Sequence, residues 1–192
     1  MERPTEAMSE RPERLFLAVA LTDEARHGLA ARLQDRLAGD RLPGRAVAIG
    51  NWHLTLRFLG LATPMERDAV LAHLDQHVQA APFRIRWGGL GAFPRASRAS
   101  ILWIGVTTGA DSLASLAGES EEAARAAGFE PEGRPFHPHL TISRMRPPEN
   151  VRTLLDGESL GIAMDVTAVT LYRSILGGNR PAEYEAIEVV DL

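Results

Sequence analysis

Shifted by 86 residues, the chain falls on itself. HLTL at 53–56 lands on HLTI at 139–142, and the elements around each copy follow in one order. Leu15 falls on Ile101 where two apolar runs open, Thr22 on Thr108 ahead of helical runs, and Phe83 on Val169 in strand-like segments. The order is strand, helix, His-x-Thr strand, helical segment, strand, strand, with ASILWIGV (99–106) serving both copies. Few other identities accompany the match, so what repeats is an order of elements. One long unit used twice predicts two related lobes, not a stack of short repeats. Lobes facing each other would bring the two His-x-Thr strands together at a cleft.

The elements support that reading. RLFLAVAL (14–21) is an apolar run of strand length. Thr22 is a good N-cap for a helix carrying Leu29, Leu33 and Leu37 at helical spacing, with Gly39 as its stop. Thr63 and Pro64 open a second helix as N-cap and N1. A third runs to Gly128. FRIRWGGL (83–90), HLTISR (139–144), MDVTAVTLYRSIL (164–176) and EYEAIEVV (183–190) read as further strands, with GAFPRASRA (91–99) and GGNRPA (177–182) as loops. Strands joined by short loops favour antiparallel pairing, so the expected class is α+β, bilobal, with helices outside mostly antiparallel sheet. The polar start of the chain, residues 1–13, is expected to be a disordered tail ahead of one domain spanning 14–192. It carries no apolar leader core, and no run reaches the roughly 18–20 apolar residues of a membrane span. A cytoplasmic protein, acting as a monomer, is the resulting expectation.

Alternation along a strand puts His53 and Thr55 on one face and Leu54 and Leu56 on the other. The same holds for His139 and Thr141 against Leu140 and Ile142. The aliphatic side has the character of a core, so the cleft would hold two imidazoles and two hydroxyls. Imidazoles titrate near neutral pH, so one can take a proton while the other gives one. Set on opposite sides of a phosphorus, they support in-line displacement, each proton transfer contributing roughly 10²–10⁴ in rate. Threonine hydroxyls can donate to the non-bridging oxygens. A ribose 2′,3′-cyclic phosphate suits such a set, and no metal or other cofactor is required.

The paired motifs, with RLFLAVAL, NWHLTLRFLG, FRIRWGGLGAF, RASILWIGV and GRPFHPHLTISR, resemble the two-histidine (2H) phosphoesterases, and within them the RNA 2′,3′-cyclic phosphodiesterases, also called 2′-5′ RNA ligases. The resemblance runs from about Leu15 to Val190. It implies His53 as general acid, His139 as general base, and Thr55 and Thr141 on the phosphate. It also implies a role for Arg144 and an aromatic lining residue in Phe58. The implied reaction opens a cyclic phosphate at an RNA end to a 2′-phosphomonoester, and the resemblance also implies a separate, reversible ATP-independent 2′-5′ RNA ligation. Strict alternation, however, sends Phe58 and Arg144 away from the histidines, so a twist or strand end must re-aim them.

Composition narrows the rest. There is no cysteine, and all 21 basic side chains are arginine. Thiolate chemistry, a P-loop lysine and a lysyl-nucleotide intermediate are excluded. A net charge of −4 argues against an extended grip on nucleic acid, so contacts with RNA should be short and local. Trp52, Phe136 and Arg134 flank the motifs and are candidate substrate-lining residues; Arg57 and Arg146 join Arg134 and Arg144 as candidates to steer a phosphate. Trp87 and Trp103 read as core, His137 as a packing or hydrogen-bonding residue, and His73 with His77 as a solvated helix face. The competing readings are an ADP-ribose cyclic phosphate or a 2′-5′ oligonucleotide as substrate, a metallohydrolase built on His53, His137, His139 and Asp165, and a non-catalytic module that binds RNA ends.

Overall fold

A computed structural model of the chain describes residues 11–175 and 182–192. Most of the proposed tail and of the GGNRPA loop lie outside the described residues. In chain order the elements are β1 (Glu13–Ala20), α1 (Asp23–Leu37), β2 (Arg45–Ala46), β3 (His53–Ala62), α2 (Pro64–His77), β4 (Phe83–Phe93) and β5 (Ala99–Thr108). Then come α3 (Ala110–Ala126), β6 (His139–Glu149), the single turn α4 (Arg152–Leu155), β7 (Ala163–Val166), β8 (Ala168–Ile175) and β9 (Glu183–Asp191). Helix starts follow the residues that satisfy their first N–H groups. Thr22 accepts from Ala25 N at 3.2 Å. Thr63 and Glu66 form a reciprocal capping box, with Pro64 inside it. The chain leaves α1 through left-handed Ala38 and Gly39.

The strands form one sheet in the order β7-β4-β5-β6-β3-β1-β8-β9, with β2 on β6, and every pair is antiparallel. Its two halves join between β3 and β6 at one residue pair, Leu54 with Leu140. These are the equivalent residues of the two copies, so the pseudo-two-fold axis passes through this pair. Both leucines are fully buried, and each such burial stabilises by roughly 1.5–3 kcal/mol. The α+β, bilobal architecture is as expected.

Four expectations need correction. The first strand begins at Glu13, one residue before the expected start, and Glu13 pairs with Arg173. The β4 strand continues through Phe93, because Gly91, Ala92 and Phe93 pair with β5. The run 164–176 is two strands: β7 pairs with β4 in one half and β8 with β1 in the other. The final strands have thus changed places, β4 of the first copy completing the second lobe and β8 of the second copy completing the first. Finally, Phe16 rather than Leu15 is the counterpart of Ile101. Phe16 pairs with Phe58 and Ile101 with Arg144, and Phe58 and Arg144 are equivalent. The second copy is one residue longer between its first strand and its histidine.

Candidate active site

The Leu54–Leu140 pair decides where the polar residues go. Both leucines point into the core from opposed strands, so His53, Thr55, His139 and Thr141 emerge together on the other face. All four are half-buried. His53 feels the charge of His139, and both rings feel the guanidinium of Arg144. The two motifs therefore open onto one site.

Arg144 and Phe58 reach that site through a matched pair of β-bulges. Against β1, Leu17 pairs with Arg57 and Ala18 with Thr55, leaving Leu56 unpaired. Against β5, Leu102 pairs with Ser143 and Trp103 with Thr141, leaving Ile142 unpaired. One extra residue reverses the alternation beyond it. Leu56 and Arg57 are both buried, as are Ile142 and Ser143. After the slip, exposed Phe58 and Arg144 lie on the histidine side, and Arg146 follows Arg144 there. The re-aiming that the resemblance required comes from bulges, not from a strand end.

Each bulge turns its next residue inward, where it grips the loop leading to the other motif. Arg57 is 8% exposed. Its guanidinium donates to the Glu121 carboxylate, to Phe58 O and to Glu130 O. Glu130 lies on the segment that feeds β6. Ser143 Oγ donates to Pro43 O, on the segment that feeds β3 through β2. Arg57 is thus a structural clamp and not a phosphate-steering residue. Arg57→Met is expected to destabilise the protein by about 2–4 kcal/mol, since it strands Glu121 and two carbonyl oxygens. Arg57→Lys should recover only part of that, one ammonium being unable to span three acceptors. Chemical denaturation checks this, and a loss below about 0.5 kcal/mol would contradict the clamp.

The rings are held alike in both copies. His53 Nδ1–H donates to Asn51 O at 2.8 Å, and His139 Nδ1–H donates to His137 O at 2.7 Å. Asn51 and His137 are again equivalent positions. Protonation at Nδ1 leaves Nε2 as the nitrogen with the lone pair in each neutral ring. In His53 it accepts from Thr55 Oγ1–H at 3.0 Å. Burial lowers the His53 pKa to about 4, with Arg144 and His139 adding repulsion against the bond to Asn51. His139 is lowered as well, again first by burial, then by the charges of His137 and Arg144.

Aromatic rings back each histidine. Phe16 lies 4.8 Å from His53 and 5.9 Å from Phe58, with Tyr172 stacked on Phe16 at 5.3 Å. Tyr184 meets His53 edge-on at 5.1 Å. On the other side Phe93 meets His139 edge-on at 5.1 Å, and Trp103 sits 5.0 Å from His137. Phe16, Tyr172, Tyr184 and Phe93 escaped the sequence reading because they come from β1, β8, β9 and β4. Only the sheet order brings those strands beside the motifs.

Several expected site residues lie elsewhere. Trp52 is 3% exposed, with Nε1–H donating to Val47 O at 3.2 Å, so it is core and not a lining residue. Phe136 packs half-buried against the core, whereas Arg134 is exposed on the segment entering β6. Trp87 is core as read, but Trp103 is half-buried beside His137 and His139, a correction. His137 is exposed. His73 and His77 stack on each other at 4.3 Å on α2. Asp165 is bound by Arg84 through both carboxylate oxygens, at 2.9 and 3.0 Å, which removes it from the metallohydrolase alternative. Among the described residues no group of three or more histidine or acidic side chains is spaced to hold a metal ion. No helix among them is long and apolar enough to cross a membrane.

Comparison with known proteins points the same way as the geometry. Residues 29–178 match the family model of the 2′-5′ RNA ligase superfamily. An RNA 2′,3′-cyclic phosphodiesterase from Aeropyrum pernix is 34% identical over 170 residues, covering 84% of this chain and 94% of that protein. One from Escherichia coli is 32% identical over 137 residues, covering 71% and 74%. Among solved structures, Escherichia coli LigT complexed with 3′-AMP superposes with a TM-score of 0.76 at 26% identity, covering 95% of this chain and 98% of that one.

Proposed function

Because the chain belongs to the 2′-5′ RNA ligase superfamily, we propose that it opens 2′,3′-cyclic phosphates at RNA ends, with His53 and His139 carrying the two proton transfers. The observation that carries this reading is the meeting of two equivalent His-x-Thr strands at Leu54–Leu140, with both imidazoles, both hydroxyls and Arg144 on one face.

The chemistry follows from the ring tautomers. Neutral His139 has its lone pair on Nε2, so it can take a proton from a water attacking phosphorus. The P–O3′ bond on the far side breaks, and His53, protonated at Nε2, gives that proton to O3′. The product is a 2′-phosphomonoester. Thr55 and Thr141 hydroxyls and the Arg144 guanidinium hold the non-bridging oxygens, with Arg144 the strongest single contact because its charge and planar fork suit phosphate. Phe58, 56% exposed at the rim, offers its face to the base. Substrate also supplies the proton balance. Free His53 is disfavoured as a cation by burial and by Arg144, and an arriving phosphodiester anion offsets that repulsion.

No step needs a metal ion or another cofactor, and we read the protein as a cytoplasmic monomer. The test is incubation with 2′,3′-cyclic mononucleotides in EDTA, with the product identified by phosphorus NMR. The 2′-phosphomonoester is expected as the sole product. A 3′-phosphomonoester would reverse the placement of the ribose between the histidines, and no turnover would remove the reading.

A further inference from the structure

The two histidines are oriented by the carbonyls of equivalent residues, Asn51 and His137, yet those carbonyls are fixed by different means. His137 is followed by Pro138, whose ring sets its own φ and confines the residue before it to extended backbone. Trp52 stands at the equivalent position in the first copy, so no proline fixes Asn51. Asn51 closes a single 3₁₀ turn, Ile49–Asn51, which has no side-chain cap. Ile49 is 40% exposed and Gly50 is exposed as well, so the turn buries little of its own. Two side chains hold it. Trp52 anchors its end in the core. Asn51 Nδ2–H donates to Ala182 O at 2.6 Å, across 131 residues of chain.

Ala182 immediately precedes β9, and Tyr184, the second residue of that strand, meets the His53 ring edge-on at 5.1 Å. One amide therefore ties the carbonyl that receives His53 Nδ1–H to the strand that walls the same ring. We infer that Asn51 is a positioning residue for the proton donor, its side-chain amide fixing the ring angle at which His53 Nε2 faces the leaving oxygen. The inference rests on the proposed role of His53. Nδ1 carries a proton in both the neutral ring and the cation, so the bond to Asn51 O persists while Nε2 gains and gives its proton. That bond strengthens when the ring is charged, and it opposes the burial that disfavours the imidazolium. A loosened turn would lose both the aim of Nε2 and this support of the cation. His139 draws the same rigidity from Pro138 and needs no tether.

Asn51→Ala should lower kcat on adenosine 2′,3′-cyclic phosphate by about 10–10²-fold, the usual cost of a misplaced group. KM should change less than about twofold, because other side chains hold the phosphate. On an aryl phosphodiester, whose phenolate leaves without a proton, the same variant should stay within about threefold of wild type. Asn51→Gln keeps the amide and should recover part of the rate. Asn51→Leu, close to asparagine in shape but without a donor, should not. Equal losses on the two substrates, or full activity in Asn51→Leu, would make the contact ordinary packing and overturn the inference. Proton NMR gives a readout separate from turnover. Near neutral pH the Nδ1–H protons of His53 and His139, each bonded to a carbonyl, should both give slowly exchanging downfield signals in wild-type protein. In Asn51→Ala the His53 signal should broaden away while that of His139 persists. Loss of both signals, or of neither, would also overturn the inference. Wild-type protein inert toward the cyclic nucleotide would instead sink the proposed function, and the NMR comparison would still decide whether Asn51 holds the ring.

Discussion

Replacing His53 or His139 by alanine should each lower kcat/KM on a 2′,3′-cyclic nucleotide by about 10²–10⁴-fold, with folding intact. Both rings sit at the half-buried mouth of the cleft, and neither fills the aliphatic core beneath Leu54 and Leu140. The double variant should lose little more than the worse single one, because groups that act as one unit are not additive. The two losses differ in kind, and that separates acid from base. An aryl phosphodiester expels a phenolate that is stable without a proton, so it has no need of an acid. On it His53→Ala should recover much of its deficit, whereas His139→Ala should remain impaired. Recovery by His139→Ala instead would exchange the two roles. Wild-type rates in either variant on the cyclic nucleotide would remove the mechanism. Thr55→Val would release the bond that holds His53 Nε2 and, on the proposed role of Thr55, weaken phosphate binding as well.

The repeat was legible because it is written in residue types: two His-x-Thr strands and the elements around them. What each strand pairs with was not. Leu54 and Leu140 announce a buried face, but nothing local says that β4 leaves the first lobe to complete the second. That exchange is a matter of sheet order, and with it went Phe16, Tyr172, Tyr184 and Phe93 as neighbours of the histidines. The bulges did leave a trace. The buried aliphatic positions run 54, 56, 59 and 140, 142, 145, so the interval slips from two to three at the same point in both copies. A strand that keeps its alternation cannot produce that slip, and it predicts the reversal that brings Phe58 and Arg144 to the cleft. Trp52 and Arg57 misled for another reason. Each sits beside a motif in the chain, yet one stands on the core side of the turn into β3 and the other follows the bulge. Proximity along a strand says little about the face.

The pH dependence carries the sharpest electrostatic consequence of this arrangement. In the proposed mechanism the form that binds productively has His53 protonated and His139 neutral. Free His53 titrates at about 4, and free His139 lies below its ordinary value. At pH 7 only about one free molecule in a thousand then carries the proton on His53. Above both values kcat/KM should fall tenfold per pH unit as that proton is lost; below both it should fall as steeply as His139 becomes charged. The expected profile is a bell with its apex below pH 6.5 and apparent values that belong to the coupled pair. In kcat the apex should stand higher, since the bound phosphodiester anion raises both imidazoles. Arg144 is the charge that can be removed. Arg144→Gln takes away a repulsion felt by both rings, so the kcat/KM bell should move toward neutral pH while its height drops through loss of the phosphate contact. Rates measured from pH 4 to 9 on both proteins decide it. An apex above pH 7 in the wild type would mean that burial does not hold these histidines down, and an unmoved bell in Arg144→Gln would mean that the cation adds nothing to it.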